Sequence, residues 1–268
     1  MILKNMIAFL LTYLLILFLV FAFQHKLIYL PQQYSLIAQQ EITTKLELET
    51  WPQKDSFRGF VSKNTLENSK GTVVVFHGNA GSAVARLYYI EALERLGFRV
   101  IIAEYPGYGA RHGKPSEKEL IIDGLKTAQL ALEQFKEPLY LWGESLGAGV
   151  VSGIIETGLV QVKGIILLMP FDNLSNVAHH HYWFLLGKWL TREKYNNVKN
   201  LRNFQGKVAV VLANKDEIVP NRLTLKLFDS LPGQKRLWSL ENATHNNLPI
   251  QPDAAWWSEV MKYMGLQE

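Results

Sequence analysis

Five short stretches of this chain are apolar at nearly every position: Thr72–Phe76, Arg99–Ala103, Leu139–Trp142, Gly164–Met169 and Val208–Ala213. A strand with one wet face alternates apolar and polar residues. A strand of unbroken Val, Ile and Leu has both faces covered, as in a parallel sheet packed between helices. Parallel neighbours need crossovers, so the segments between the runs must supply those helices. They carry the pattern for it: Ser82–Leu96 is amphipathic, and Val150–Glu156 and Pro252–Met264 read as helices. Ser116–Phe135 opens with Ser116-Glu117-Lys118-Glu119, a capping box in which Ser116 and Glu119 each satisfy a free backbone N–H. Ahead of the runs, Ile42–Thr50 and Ser56–Ser62 alternate imperfectly and are expected to form an antiparallel edge hairpin. The expected fold class is α/β, a mostly parallel doubly wound sheet with antiparallel N-terminal strands. With 268 residues, 48% of them hydrophobic, the chain has material for one such domain and not a second.

Two segments lie outside that rhythm. Met6–Phe23, MIAFLLTYLLILFLVFAF, is about long enough to cross a hydrocarbon core, with Lys4 before it and His25-Lys26 after it. It is expected to be a single membrane-spanning anchor within residues 1–26, leaving 27–268 as the folded domain. The competing reading is a cleaved signal peptide ending near Val20-Phe21-Ala22. By analogy with signal anchors, the domain is expected on the non-cytoplasmic side. The second segment, about 171–206, is too long for a simple crossover. Phe171, Tyr182, Trp183, Phe184, Leu185, Leu186 and Trp189 make it greasy, which suits a small cap over an apolar channel; an ordinary crossover helix docked on the core is the alternative.

Composition limits the chemistry. There is no cysteine, which excludes disulfides, thiolate metal sites and cysteine nucleophiles. The net charge of +4 is spread along the chain with no basic stripe, so nucleic acid is not an expected partner. Ser, His, Asp and Glu must do the work.

Gly143-Glu144-Ser145-Leu146-Gly147 matches G-x-S-x-G between a strand and a helix. So tight a turn forces the serine into an unfavourable backbone conformation and brings strand and helix so close that only glycine fits at the flanks. Ser145 then stands at the strand's C-terminal end, where the N–H groups of the helix starting at Leu146 face developing negative charge. Asp216 follows the run VAVVLA and His245 follows the strand-like Arg236–Leu240. The order Ser, Asp, His places all three on one rim of the sheet. Histidine would take and return the serine proton while aspartate holds its tautomer. Asp172 is the runner-up acid, Glu217 is expected to point away, and Asp123 to lie on a helix surface. His179, His180 and His181 are adjacent and cannot all face one ion, so they are expected to be solvated or to pack in the cap. Phe76-His77-Gly78-Asn79-Ala80-Gly81 ends a strand with small residues before a helix capped by Ser82, and the N–H groups of Asn79 and Leu146 would form an oxyanion hole. It lacks the ending of a P-loop.

Taken together, HGNAG, Tyr105-Pro106-Gly107-Tyr108-Gly109, GESLG, Asp216-Glu217-Ile218-Val219-Pro220 and Thr244-His245 resemble the α/β-hydrolase superfamily from about Leu27 onward. Membrane-anchored serine hydrolases of the depalmitoylase-like and serine-aminopeptidase-like groups are the nearest likeness. The resemblance implies the fold, Ser145 as nucleophile, Asp216 as acid, His245 as base, and Asn79 and Leu146 at the oxyanion; an acyl-serine mechanism on these residues is expected to need no metal or organic cofactor. It leaves the substrate open. Eukaryotic depalmitoylases of this type have a cysteine-rich lipidated N-terminus, and this chain has an apolar helix instead. The expected activity is hydrolysis of carboxylic esters or thioesters of acyl-chain or lipid-like substrates. An aminopeptidase, and a catalytically silent membrane-anchored binding protein, are the alternatives.

Overall fold

The structure, a computed structural model, describes residues 1–53, 56–63 and 68–265. Among these, one sheet contains β1 Leu48–Trp51, β2 Gly59–Ser62, β3 Thr72–Phe76, β4 Arg99–Ala103, β5 Leu139–Glu144, β6 Gly164–Leu168, β7 Lys207–Ala213 and β8 Lys235–Leu240. Their spatial order is β8-β7-β6-β5-β3-β4-β2-β1, and β2 alone runs against the rest. The helices are α1 Ile2–Ile28, α2 Leu36–Lys45, α3 Tyr88–Glu94, α4 Glu117–Phe135, α5 Leu146–Glu156, α6 Leu174–Tyr182, α7 Gly187–Leu190, α8 Asn197–Leu201, α9 Asn221–Ser230 and α10 Ala255–Met264.

The five apolar runs are β3 to β7, and their residues alternate between two cores. Val74, Phe76, Leu141 and Ile165 face α4, α5, α8 and α9, whereas Val73, Val75, Trp142 and Ile166 face α3 and α10. After β3 the chain crosses to β4 on one side, and β5 then pairs with β3 on the other. The loops leaving the C-terminal ends of β3 and β5 therefore meet at a topological switch point, where open α/β sheets bind ligands.

Three local expectations are corrected. Residues 42–45, expected in the edge strand, end helix α2: the Ser35 hydroxyl caps it by accepting from the Ala38 N–H at 3.2 Å, and Gln39 and Thr43 are buried. Tertiary packing there overrides the β-branched sequence. The stretch 82–96 is a 3-10 turn, Ala83–Arg86, followed by α3. Ser82 does not cap it; the Glu104 carboxylate, arriving from the end of β4, accepts the Ala83 N–H instead.

Helix α1 runs past residue 26 and is long and apolar enough to cross a membrane, with a mean hydropathy of 2.8 over its most apolar window. Gln24 is its buried residue. Within 171–206, helix α8 joins the core beside α5; α6, the turn Trp183–Leu185 and α7, called the cap, rest on that core through Leu174 and Val177 and carry exposed aromatic side chains.

The cap is fastened to α4 by a reciprocal pair. The Glu117 carboxylate accepts the Lys194 and Tyr195 N–H groups at 2.6 and 2.8 Å, and the Glu193 carboxylate accepts the Glu117 N–H at 2.6 Å. Glu117→Ala is expected to cost about 1.5–3 kcal/mol, as for hydrogen bonds to a charged group. Faster hydrogen exchange at Lys194 and Tyr195, with exchange in β3 and β5 unchanged, is the measurement that checks it.

Candidate active site

Ser145 sits at φ 52, ψ −113, between β5 and α5. A non-glycine residue rarely adopts a positive φ, which costs about 1–3 kcal/mol and persists only where surroundings enforce it. Here its N–H donates to the Leu168 carbonyl at 2.8 Å, and its carbonyl accepts from Ala148 N–H at 2.9 Å. Both flanking glycines are sterically required. A Cβ on Gly143 would lie 2.6 Å from Ala148 backbone atoms, and one on Gly147 would fall on the Phe76 carbonyl.

The structure brings the three sequence-selected side chains together. His245 Nε2 lies 3.0 Å from Ser145 Oγ, and His245 Nδ1 lies 2.8 and 3.0 Å from the Asp216 carboxylate oxygens. With Nδ1–H donated to Asp216, Nε2 is left to accept the serine proton. The Asp216 side chain is buried, and its Oδ1 also accepts the N–H groups of Ile218 and Val219 at 2.9 and 2.7 Å, which fixes the carboxylate. Glu217 does not simply turn away as expected: its carboxylate accepts the His245 backbone N–H at 3.3 Å and steadies the loop that carries the imidazole.

Asn79 and Leu146 lie beside Ser145 on the wall of one cavity. Leu146 opens α5, where the first-turn N–H groups have no partner within the helix. Asn79 is pinned from several sides. Its carbonyl accepts from Leu30 N–H at 3.0 Å and Tyr108 O–H at 2.7 Å, and its side-chain amide donates to the Ile28 carbonyl at 2.8 Å. The end of α1 is thereby attached to the loop after β3.

Directly under the serine, Glu144 is buried as a carboxylate. Arg86 meets it with Nε at 2.9 and 3.0 Å and Nη2 at 2.8 Å, and the Tyr88 and Tyr89 hydroxyls donate to it. Burial pushes the Glu144 carboxyl up, but the Arg86 charge and hydrogen bonds outweigh it and hold the group below the usual carboxylate range. Its partner Arg86 lies 58 residues away in the chain, and no spacing in the sequence points to it.

The remaining candidates go elsewhere. Asp172 is buried after β6 and accepts from Asn176 and from Lys226 Nζ, 2.6 Å away. Asp123 is not a free surface carboxylate, because Arg58 and Arg111 both pair with it at 2.6 Å. His179 packs on the Trp189 ring, His180 Nδ1 accepts from Arg222, and His181 Nε2 donates to the Ile218 carbonyl at 2.8 Å. His181 thereby becomes a wall of the cavity.

That cavity, about 370 Å³, is lined mainly by apolar side chains of α1, the cap and the Asp216 loop. The contribution of α1 through Val20, Gln24, Leu27 and Ile28 was missed in the sequence. One signal for it was present: an amide in an apolar helix is expensive unless a partner waits for it. Gln24 Nε2 donates to the Leu190 carbonyl at 3.1 Å and Oε1 accepts from Arg192 N–H at 2.7 Å.

Comparison with known proteins gives concordant results. The model of the serine aminopeptidase S33 family matches residues 67–199, which include Ser145 but stop short of Asp216 and His245. An uncharacterized protein of Mycobacterium tuberculosis, Rv2307c, is 29% identical over 231 residues, covering 84% of this chain and 81% of that one. The lysophosphatidylserine lipase ABHD12 of Danio rerio is 28% identical over 195 residues, 65% of this chain. The match spans about half the length of that lipase, 51%. Among solved structures, the Pyrococcus furiosus esterase Pf2001 superposes with a TM-score of 0.65 at 16% identity, covering 88% of this chain and 96% of its own. A monoacylglycerol lipase of Paleococcus ferrophilus gives 0.54 at 20% identity, covering 74% and 95%.

Four substitutions separate the contributions of packing and charge. Gly147→Ala is expected to lower stability by about 2–3 kcal/mol through overpacking against backbone. Gly158→Ala, at φ +66 with open space, should lose only the roughly 1–2 kcal/mol of a left-handed residue; denaturant melts compare them. Arg86→Ala leaves a buried charge unpaired and should cost about 3–5 kcal/mol at neutral pH. Because the Glu144 pKa is depressed on folding, the stability it contributes is present above about pH 4.5 and lost as pH falls through its lower folded value. Glu144→Gln should flatten that acid limb in melts taken across the acid range.

Proposed function

We propose that the chain is a serine hydrolase of the α/β-hydrolase superfamily and that it hydrolyses carboxylic esters or thioesters of acyl-chain, lipid-like substrates through an acyl-Ser145 intermediate. The observation that carries this reading is the Ser145–His245–Asp216 hydrogen-bonded chain opening on an apolar cavity. As Ser145 Oγ attacks the carbonyl carbon, its proton passes to His245 Nε2. The imidazolium is stabilised by Asp216, and the carbonyl oxygen takes up negative charge opposite the Asn79 and Leu146 N–H groups. His245 then gives the proton to the departing alcohol or thiol. Water, deprotonated by the same imidazole, attacks the acyl-serine and releases the acid. No metal or organic cofactor takes part in this sequence.

An acyl chain is favoured by the cavity wall and by its size, near the lower end of the about 300–1,000 Å³ of ligand pockets, which suits one chain. The lipase relatives act on single-chain lipids by name, and a substrate of that kind is proposed here. The aminopeptidase reading needs a carboxylate to hold the substrate ammonium, and among the described residues lining the cavity there is no Asp or Glu. The apolar helix α1 is proposed to hold the enzyme at a membrane, where such substrates partition.

A fluorophosphonate probe is expected to label the wild type and to fail with Ser145→Ala. Asp216→Asn should retain the fold and lose about 10⁴-fold in kcat. p-Nitrophenyl esters of graded chain length, assayed beside aminoacyl anilides, should be turned over with a preference for longer chains. Well-folded wild type that takes no label and turns over neither class would overturn the hydrolase reading in favour of a silent binding protein.

A further inference from the structure

Helix α1 does more than tether. Its half-buried positions Tyr13, Leu17, Val20 and Ile28 and its buried Gln24 form one stripe at helical spacing, with the cap against it. The Tyr13 hydroxyl donates to the Phe184 carbonyl at 2.6 Å at the tip of the cap, the Gln24 amide pairs with Leu190 and Arg192 below it, and the Asn79 amide closes on the Ile28 carbonyl. Between these fastenings, Val20, Gln24, Leu27 and Ile28 form one wall of the cavity that contains Ser145.

Length fixes where the cap must lie. The part of α1 beyond the cap contacts, Ile2–Thr12, is exposed throughout. Those residues span about 16 Å of helix, half of a hydrocarbon core of about 30 Å. A spanning α1 cannot leave the cap in water: it draws the cap tip into the bilayer. The tip is built for that environment. Trp183 and Trp189 are 65% and 67% exposed, and Phe184 and Leu186 beside them are exposed as well, continuous with the apolar outer face of α1.

We propose that the cap tip is inserted in the bilayer alongside α1 and that the seam between them admits the acyl chain of a membrane lipid laterally to Ser145, with Val20 and Leu27 setting how long a chain is accepted. This rests on the hydrolase reading for the chemistry at Ser145, and deepens it by assigning the acyl subsite to the membrane helix itself.

The test uses the full-length protein in phosphatidylcholine vesicles. Val20→Trp or Leu27→Trp should lower kcat/KM for p-nitrophenyl palmitate by about tenfold or more while p-nitrophenyl butyrate stays within about twofold. Leu15→Trp, on the exposed face of the same helix, should change neither. Unchanged palmitate turnover, or equal losses on both esters in both filling variants, overturns the subsite. In vesicles containing lipid brominated mid-chain, tryptophan fluorescence should be quenched in the wild type and much less in the double variant Trp183→Phe, Trp189→Phe; equal quenching in the two overturns cap insertion. Failure of the hydrolase reading is separately visible as absent fluorophosphonate labelling. In that case binding of a dansyl-labelled fatty acid, expected to be weakened by Val20→Trp and not by Leu15→Trp, decides the subsite instead.

Discussion

The structure around Ser145 depends on one close approach of backbone to backbone. With hydrogen in place of a side chain at Gly147, the first turn of α5 rests against the Phe76 and His77 carbonyls at the end of β3. That contact makes the loop carrying Asn79 and the turn carrying Ser145 parts of a single rigid corner. It is possible because β3 and β5 are neighbours whose crossovers leave on opposite sides of the sheet. The strained conformation of Ser145 is held by the same surroundings: β6 receives its N–H, and Gly143 lets Ala148 close over it. Strain stored at such a corner is stable only if nothing beneath it gives way, which is the structural place of the Arg86–Glu144 pair.

A carboxylate in that position is otherwise a liability, since burial of an unpaired charge is among the costliest features a core can contain. Arg86, Tyr88 and Tyr89 belong to the irregular stretch between β3 and β4, so the turn that breaks the expected helix at 82–96 is also what brings the guanidinium under the serine. Glu104 has a parallel role one layer away, replacing a side-chain cap at Ala83 and meeting His77. The polar residues near the end of β3 are thus satisfied by one another.

What could be read from sequence and what could not follows from the range of the interactions. The central strands were legible because coverage on both faces leaves a local trace, an unbroken apolar run. Ser145, Asp216 and His245 were legible because each occupies a strand end in a fixed order, and the structure places them within hydrogen-bonding reach of one another. Residues 42–45 misled because their alternation is short and their fate is decided by a cap at Ser35 and by packing on β1. Glu217 and Asp123 depart from expectation for a common reason: each is defined by a partner distant in sequence, and no spacing rule carries that information; the Arg86 partner of Glu144 is hidden in the same way. Gln24 is the intermediate case, a polar residue whose cost pointed to a partner without naming it.

The hydrogen bond from the Asn79 amide to the Ile28 carbonyl bears on how the protein can be produced. A soluble version that began after Ile28 would retain every residue of the Ser145–His245–Asp216 chain yet leave that amide without its acceptor. A version beginning at Gln24 would keep the acceptor and the two Gln24 bonds to the cap, losing the Tyr13 bond, and would add just Leu27 and Ile28 to the apolar surface.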